Sequence, residues 1–188
     1  MNNHATDTAE EIFALYEKFG HADYIGEPVS QLEHMSQSAQ LAMKEGFDDE
    51  VILAAFFHDI GHICVMSHSE NSMDGFGVMS HEKIGAEFLR AKGFPEKVAK
   101  LVESHVQAKR YLTFKYPEYF KSLSEASKKT LVFQGGVMDV EEAIAFEADR
   151  FFETSIRMRK WDEMAKETKV PILDLNVLKA KVVSILSK

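Results

Sequence analysis

The chain of 188 residues has little cysteine, no long apolar run and no secretory start. Its one cysteine, Cys64, excludes a disulfide within the chain and is typical of a reducing cytosol. No apolar stretch approaches the roughly 20 residues that cross a bilayer. The first residues lack the basic and apolar regions of a signal peptide. We therefore expect a cytoplasmic protein with no membrane-spanning segment.

Positive charge is also scarce. Lysine and arginine together number 22 against 30 acidic residues, which gives a net charge of -8. Binding to a phosphate backbone needs a basic surface, so we expect no nucleic acid partner. A small anionic ligand would need a local cluster of cations to overcome the negative field of the whole chain.

Helical patterns run through most of the sequence, and no segment makes a convincing strand. Ser30 and Glu33 form a capping box that opens a helix. Residues 51–57 are apolar on every side, which is typical of a central buried helix. His58 and Asp59 would close that helix. The composition and pattern predict an all-α protein with one domain over residues 1–188.

The second half of the chain is predicted in less detail. Residues 63–79 are expected to form a loop, and residues 111–120 a polar connection between helices. Asp139 and Glu142 form another capping box, for a long helix expected to end near Asp162.

Six residues of metal-binding type lie at the ends or on the buried faces of these helices. They are His34, His58, Asp59, His81, His105 and Asp162. Buried imidazole and carboxylate groups are costly unless something satisfies them, and a metal does so well. Singly, each histidine has an ordinary explanation as a surface or core residue. Together, helices of a bundle can bring such residues to one point.

Imidazole and carboxylate ligands suit iron, manganese, zinc or cobalt. A carboxylate has two oxygens and can bridge two ions, and Asp59 is the natural candidate for that bridge. Cys64 follows His62 closely enough to be considered as a ligand, but a lone cysteine usually behaves as a small hydrophobic residue.

The ordered set His34, His58-Asp59 and Asp162 resembles the HD-domain superfamily, and His81 and His105 resemble the additional ligands of its dinuclear branch. The resemblance extends from about Tyr24 to Ala165 and implies an all-α HD-domain helical bundle. Most HD proteins hydrolyse phosphate esters with a metal-bound water, and many have a lysine where this chain has His62. In having His62 at this position the chain resembles the oxygen-using branch of the superfamily. This resemblance implies two iron ions, Fe(II) and Fe(III), as cofactors and O2 as a co-substrate.

Other residues resemble the organophosphonate dioxygenases of that branch. The resemblance implies that Tyr24 covers one iron until the substrate arrives, and that Glu27 faces a cationic nitrogen of the substrate. Lys109 lies one helical turn after His105, and Arg159 lies three residues before Asp162, so each shares a helix face with a candidate ligand. Without that context both would be taken as solvated charges. The candidate catalytic residues are Tyr24, Glu27, His62 and Lys109, and the candidate substrate-binding residues are these four with Ser127, Gln134 and Arg159.

The reaction implied is O2-dependent cleavage of the carbon–phosphorus bond of a (1R)-1-hydroxyphosphonate. Two substrates fit: the 2-amino compound, which would give glycine, and its trimethylammonio analogue, which would give glycine betaine. Asp74, Phe76 and Tyr24 suit the second, because a quaternary ammonium favours carboxylates and aromatic faces. The sequence leaves this choice and the oligomeric state open. The alternatives are a metal-dependent phosphohydrolase of a nucleotide or phosphomonoester and a non-catalytic HD module.

Overall fold

The computed structural model describes residues 3–24, 26–65, 73, 75 and 77–188. Eleven helices lie within this part of the chain. They are α1 (Asn3–Phe19), α2 (Gln31–Lys44), α3 (Asp49–Phe57), α4 (Ile60–Cys64), α5 (His81–Ala91), α6 (Glu96–Lys115), α7 (Pro117–Ser122), α8 (Glu125–Phe133), α9 (Val140–Glu147), α10 (Phe152–Met164) and α11 (Leu175–Leu186). The β structure of the described residues is limited to isolated bridge positions, among them the pair Asp23 and Ser30. The all-α prediction is confirmed.

Helix α3 lies at the centre of the bundle. It begins where the Asp48 side chain accepts a hydrogen bond from the backbone of Val51, at 3.0 Å. Every residue from Val51 to Phe57 is buried, and α2, α6, α10 and α11 pack around this helix. Burial of each large apolar side chain contributes roughly 1.5–3 kcal/mol, so α3 is a stable base for the residues that follow it.

Both predicted capping boxes are present. Ser30 and Glu33 exchange hydrogen bonds at the start of α2, and Asp139 and Glu142 do so at the start of α9. The first of these fixes the turn of helix in which His34 stands.

The predicted long helix from Asp139 to Asp162 is wrong, because α9 ends at Glu147 and α10 begins at Phe152. Between them the Asp149 side chain accepts a hydrogen bond from the backbone N–H of Phe151, at 2.8 Å. This local bond competes with continued helix.

The predicted connection over residues 111–120 is also wrong, because Tyr116 alone in that range lies outside α6 and α7. Helix α6 continues to Lys115, and the ring of Tyr111 is buried against Phe146 and Phe152, with ring centres 5.7 and 5.1 Å away. The burial of these rings by α9 and α10 favours helix where the local sequence is ambiguous.

Two smaller differences lie near the start of the chain. Helix α1, which buries Ile12, Phe13 and Tyr16, is not predicted from the sequence. Helix α4 contains Gly61, and its last two residues occupy the beginning of the predicted 63–79 loop. Most of the remainder of that loop, including Asp74 and Phe76, lies outside the described residues.

Among the described helices, none combines the length and the hydropathy that a bilayer crossing requires.

Candidate metal centre and adjoining pocket

The six predicted ligands come together in the middle of the bundle. Helix α2 carries His34, α5 begins with His81, α6 carries His105 and α10 carries Asp162. The remaining pair, His58 and Asp59, occupies the break between α3 and α4. All six are at most 3% exposed: His34, His58, Asp59, His81, His105 and Asp162.

The carboxylate of Asp59 divides the cluster into two halves. Its Oδ2 lies 3.4 Å from His58 Nε2 and 3.7 Å from His34 Nε2. Its Oδ1 lies 3.2 Å from His81 Nε2 and 3.3 Å from His105 Nε2. Asp162 joins the first half, with Oδ1 3.4 Å from His34 Nε2. Each oxygen of Asp59 therefore faces its own pair of imidazoles, as a bridging carboxylate requires.

The tautomers of these four histidines follow from their hydrogen bonds. In each ring Nδ1 lies 2.7–3.1 Å from a backbone carbonyl oxygen. A carbonyl can only accept, so Nδ1 carries the hydrogen, and in the neutral ring Nε2 keeps its lone pair. This is the arrangement that metal-binding histidines adopt.

The free Nε2 atoms face each other within each half. The distance is 3.0 Å from His34 to His58 and 3.0 Å from His81 to His105. Two lone pairs at this distance repel, and a cation shared between the rings removes the repulsion. Asp162 Oδ1 is buried, and no donor among the described residues satisfies it. The donor set of four imidazoles and two carboxylates fits two metal ions of the iron, manganese, zinc or cobalt type.

The electrostatics of the first half also favour a positive charge. Burial lowers the pKa of His58, but the Asp59 carboxylate outweighs it and raises that pKa to about 9. Burial raises the pKa of Asp59, and the opposing charge of His58 and bonds from neighbouring histidines hold it well below its usual range. Without metal, a proton on His58 supplies the charge that the carboxylate requires.

His62 differs from the four inward histidines. Its ring stacks on that of His81, with ring centres 4.0 Å apart. Its Nδ1 accepts the backbone N–H of Val78, at 3.1 Å, so the hydrogen of the neutral ring is on Nε2. Burial, then the neighbouring His81, lowers the pKa of His62 to about 3, so the ring stays neutral. His62 is therefore a hydrogen-bond donor, although its position within 4.8 Å of Asp59 and His81 ligand atoms resembles that of a ligand.

A small pocket, with a cavity volume of about 60 Å³, opens beside the cluster. All seven predicted substrate-binding residues line it, namely Tyr24, Glu27, His62, Lys109, Ser127, Gln134 and Arg159. Four of the six candidate ligands also face it, which are Asp59, His81, His105 and Asp162. A ligand in the pocket would therefore contact both halves of the metal centre.

One wall of the pocket holds two buried cations. Lys109 donates to Thr130 Oγ1 at 2.7 Å and to Gln134 Oε1 at 3.0 Å. Arg159 pairs with Asp162 and donates to the Tyr119 hydroxyl at 2.8 Å. Burial, then the charge of Arg159, lowers the pKa of Lys109 well below its ordinary value. Lys109 and Arg159 are the lysine and arginine side chains among the described residues that line the pocket.

The ring of Tyr24 covers the first half of the cluster, at His34. It lies nearly parallel to the His34 ring, with centres 4.0 Å apart. Burial, then the charges of Asp59 and Asp162, raise the pKa of Tyr24 well above its usual value, so its hydroxyl stays protonated. Nearby, Glu27 accepts a hydrogen bond from Ser124 and forms an ion pair with Lys166.

The pocket is also lined by Thr130, whose hydroxyl the sequence suggests as a further donor to the phosphonate. Ser127, Thr130 and Gln134 follow one another at spacings of three and four, on one helix face. No role is predicted from the sequence for Tyr119 or Lys166. The contacts of Tyr119 and Lys166 depend on how distant helices pack, and no local pattern indicates them.

The fold and site define an all-α protein in which histidines and aspartates form a two-part candidate metal centre beside a pocket lined by Lys109 and Arg159. The chain belongs to the HD domain family, which matches residues 31–153. An uncharacterised protein of Acanthamoeba polyphaga mimivirus is 43% identical over 177 residues, covering 94% of this chain and 81% of the relative.

Two further relatives have descriptive names. The [1-hydroxy-2-(trimethylamino)ethyl]phosphonate dioxygenase (glycine-betaine-forming) of Leisingera caerulea is 42% identical over 157 residues, covering 84% of this chain and 79% of the relative. The hydroxymethylphosphonate dioxygenase of Gimesia maris is 37% identical over 175 residues, covering 93% and 86%. The predicted resemblance to HD-domain phosphonate dioxygenases is confirmed.

Proposed function

We propose that the protein is a phosphonate dioxygenase, which uses O2 to cleave the carbon–phosphorus bond of a small 1-hydroxyphosphonate. The main structural support is the pairing of two sites in one pocket: buried Lys109 and Arg159 for the phosphonate, and the divided Asp59 cluster beside them. The names of the two relatives support the same reaction. The atoms balance with one O2 for each phosphonate cleaved, because C1 becomes a carboxylate and the phosphorus leaves as phosphate.

We propose that the metals are two iron ions. His34, His58, Asp59 and Asp162 would hold one, and His81 and His105 would hold the other together with the shared Asp59. When bound, the two ions supply the redox chemistry that activates O2 and the positive charge that binds a substrate hydroxyl. Each half offers two neutral imidazoles and one oxygen of the shared Asp59 carboxylate, which suit such ions.

The side chains of the pocket would bind and orient the phosphonate. Lys109 and Arg159 would neutralise its charge, and Ser127 and His62 Nε2–H would donate hydrogen bonds to its oxygens. These groups would keep the phosphonate end fixed, so that C1 lies towards the metals. Gln134, which now accepts from Lys109, would help to place the rest of the substrate.

The opposite end of the substrate would carry a positive charge. Apart from the candidate ligands Asp59 and Asp162, Glu27 is the acidic residue among the described residues that line the pocket. A primary ammonium or a trimethylammonium at C2 would reach its carboxylate, and an aromatic ring such as Tyr24 suits the second. We therefore propose a (1R)-1-hydroxy-2-(amino or trimethylammonio)ethylphosphonate as the substrate, with glycine or glycine betaine as the second product.

The test is a comparison of both phosphonates and hydroxymethylphosphonate, with the iron-loaded protein in air and under strict exclusion of oxygen. We expect phosphate release from a cationic hydroxyphosphonate at one O2 consumed per phosphate formed. Phosphate release that continues unchanged without O2 would instead identify a phosphohydrolase. Parallel loading with manganese, zinc or cobalt tests the choice of iron.

A further inference from the structure

The carboxylate of Glu27 is held by two groups, Ser124 and Lys166, that have no part in the candidate metal centre. Ser124 Oγ donates to Glu27 Oε1 at 2.6 Å, and Lys166 Nζ donates to the same oxygen at 2.9 Å. The side chains of Glu27 and Lys166 are only 9% and 15% exposed. Water and salt screen such a sheltered ion pair much less than a surface pair, so it restrains its partners more strongly.

The backbone around Lys166 is itself fixed. The carbonyl of Ala165 accepts the Nδ1 hydrogen of His34, at 2.9 Å. Glu167 exchanges two hydrogen bonds with the side chain of Gln37, at 2.9 and 3.1 Å. Bonds to α2 on both sides of Lys166 therefore hold its main chain, and its ammonium extends from a rigid position.

Glu27 is mechanically linked to Tyr24. Its backbone N–H donates to the Tyr24 carbonyl at 2.9 Å, and the Tyr24 N–H donates to the Val29 carbonyl at 3.0 Å. Gly26, between them, has a φ of +83°, and a Cβ there would lie 2.6 Å from Ala126 Cβ. We call the group of Tyr24, Gly26 and Glu27 the pocket turn. The hydrogen bond from Glu27 to Tyr24 joins the two residues, and Gly26 fits closely against α8. A displacement of Glu27 therefore moves Tyr24 as well.

We infer that Lys166 is a positioning residue, which acts through Glu27 to hold the pocket turn in place. Both hydrogen bonds that described residues donate to the Glu27 carboxylate end on Oε1, so Oε2 is the oxygen left to face a ligand. The same ion pair keeps the Tyr24 ring over His34. The catalytic consequence rests on the function proposed above, in which Glu27 meets the substrate nitrogen.

The structural half of this inference is tested by hydrogen exchange in the purified full-length chain, without phosphonate. The amides of Tyr24 and Glu27 report on the pocket turn through the bonds that they make. We expect Lys166→Met to speed their exchange about tenfold, and Lys166→Arg, which keeps the charge, to preserve most of the protection. Lys179→Met is the control, because the Lys179 side chain is 18% exposed, close to the 15% of Lys166, and pairs at 2.7 Å with Glu10, outside the pocket lining.

The functional half is tested by a double-mutant cycle with Glu27→Gln. We expect Lys166→Met to raise KM for the cationic hydroxyphosphonate about tenfold while changing kcat less, and to add little in the Glu27→Gln background. An equal rise of KM in that background would show that Lys166 does not act through Glu27 and would overturn the inference. Unchanged exchange in Lys166→Met would overturn it too. If no phosphonate is cleaved, the proposed function fails, and the exchange result decides the positioning role alone.

Discussion

The rings of His62 and His81 lie stacked with their centres 4.0 Å apart, yet they carry their hydrogens on opposite nitrogens. Both assignments depend on one residue. The Val78 carbonyl accepts from His81 Nδ1, and the Val78 N–H donates to His62 Nδ1, each at 3.1 Å. The peptide groups of Val78 thus distinguish a candidate metal ligand from a hydrogen-bond donor.

This difference predicts separate effects for the two histidines. His62→Ala should leave both metal ions bound and weaken phosphonate binding, roughly 10- to 100-fold for the loss of a hydrogen bond to a charged group. His81→Ala should lose the metal of its own half. Metal analysis of each purified variant and KM for the phosphonate check this, and metal loss in His62→Ala would contradict it.

Asp59→Asn should remove both metals, although the new side chain has nearly the same shape. An amide has only one acceptor oxygen, so it cannot serve both halves as the carboxylate does. We expect the metal content to fall from two ions per chain to less than one. Asp7→Asn, at an exposed position on α1, is the control. Retention of two ions by Asp59→Asn would show that Asp59 is not the bridge.

Phosphonate affinity should fall as pH rises, and the fall should begin at a lower pH than the ordinary pKa of a lysine would give. Burial and Arg159 lower the pKa of Lys109, so its ammonium is present below that pKa and is lost as pH rises through it. Binding measured where the phosphonate is fully ionised isolates this effect. Lys109→Arg keeps the charge at every pH tested and should flatten the alkaline part of the profile. A wild-type affinity profile that falls only near the usual lysine pKa would argue against a role for Lys109 in this effect.

Gly61→Ala should damage both stability and the second half of the metal centre. A Cβ at Gly61 would lie 2.0 Å from the His81 carbonyl oxygen, so α4 and α5 would have to separate. Overpacking of this kind costs about 1–3 kcal/mol of unfolding free energy. Chemical unfolding and metal analysis measure the two effects. Gly46→Ala strains a backbone with φ of +77° but meets nothing within 4 Å, so it should lose stability while keeping its metals.

The parts of the structure that the sequence predicts are those with a local signal. The apolar run before His58 indicates the buried helix, and the order of imidazoles and carboxylates indicates the residues that cluster beside it. The break at Asp149 depends on a side-chain bond that competes with helix, and the length of α6 depends on the rings around Tyr111. Lys166 lies 139 residues from Glu27, so no local pattern connects them. That residues 1–188 form one domain stays a prediction.

Backbone carbonyls accept the Nδ1 hydrogens of the four inward imidazoles, at Ala165, Ala55, Val78 and Val102. These four hydrogen bonds use main-chain oxygens and do not depend on the identity of the pocket side chains. Exchange of a pocket side chain therefore leaves each Nδ1 bond, and with it the inward direction of Nε2, in place. A scaffold of this kind can retain one reactive centre while the groups that select its substrate diversify.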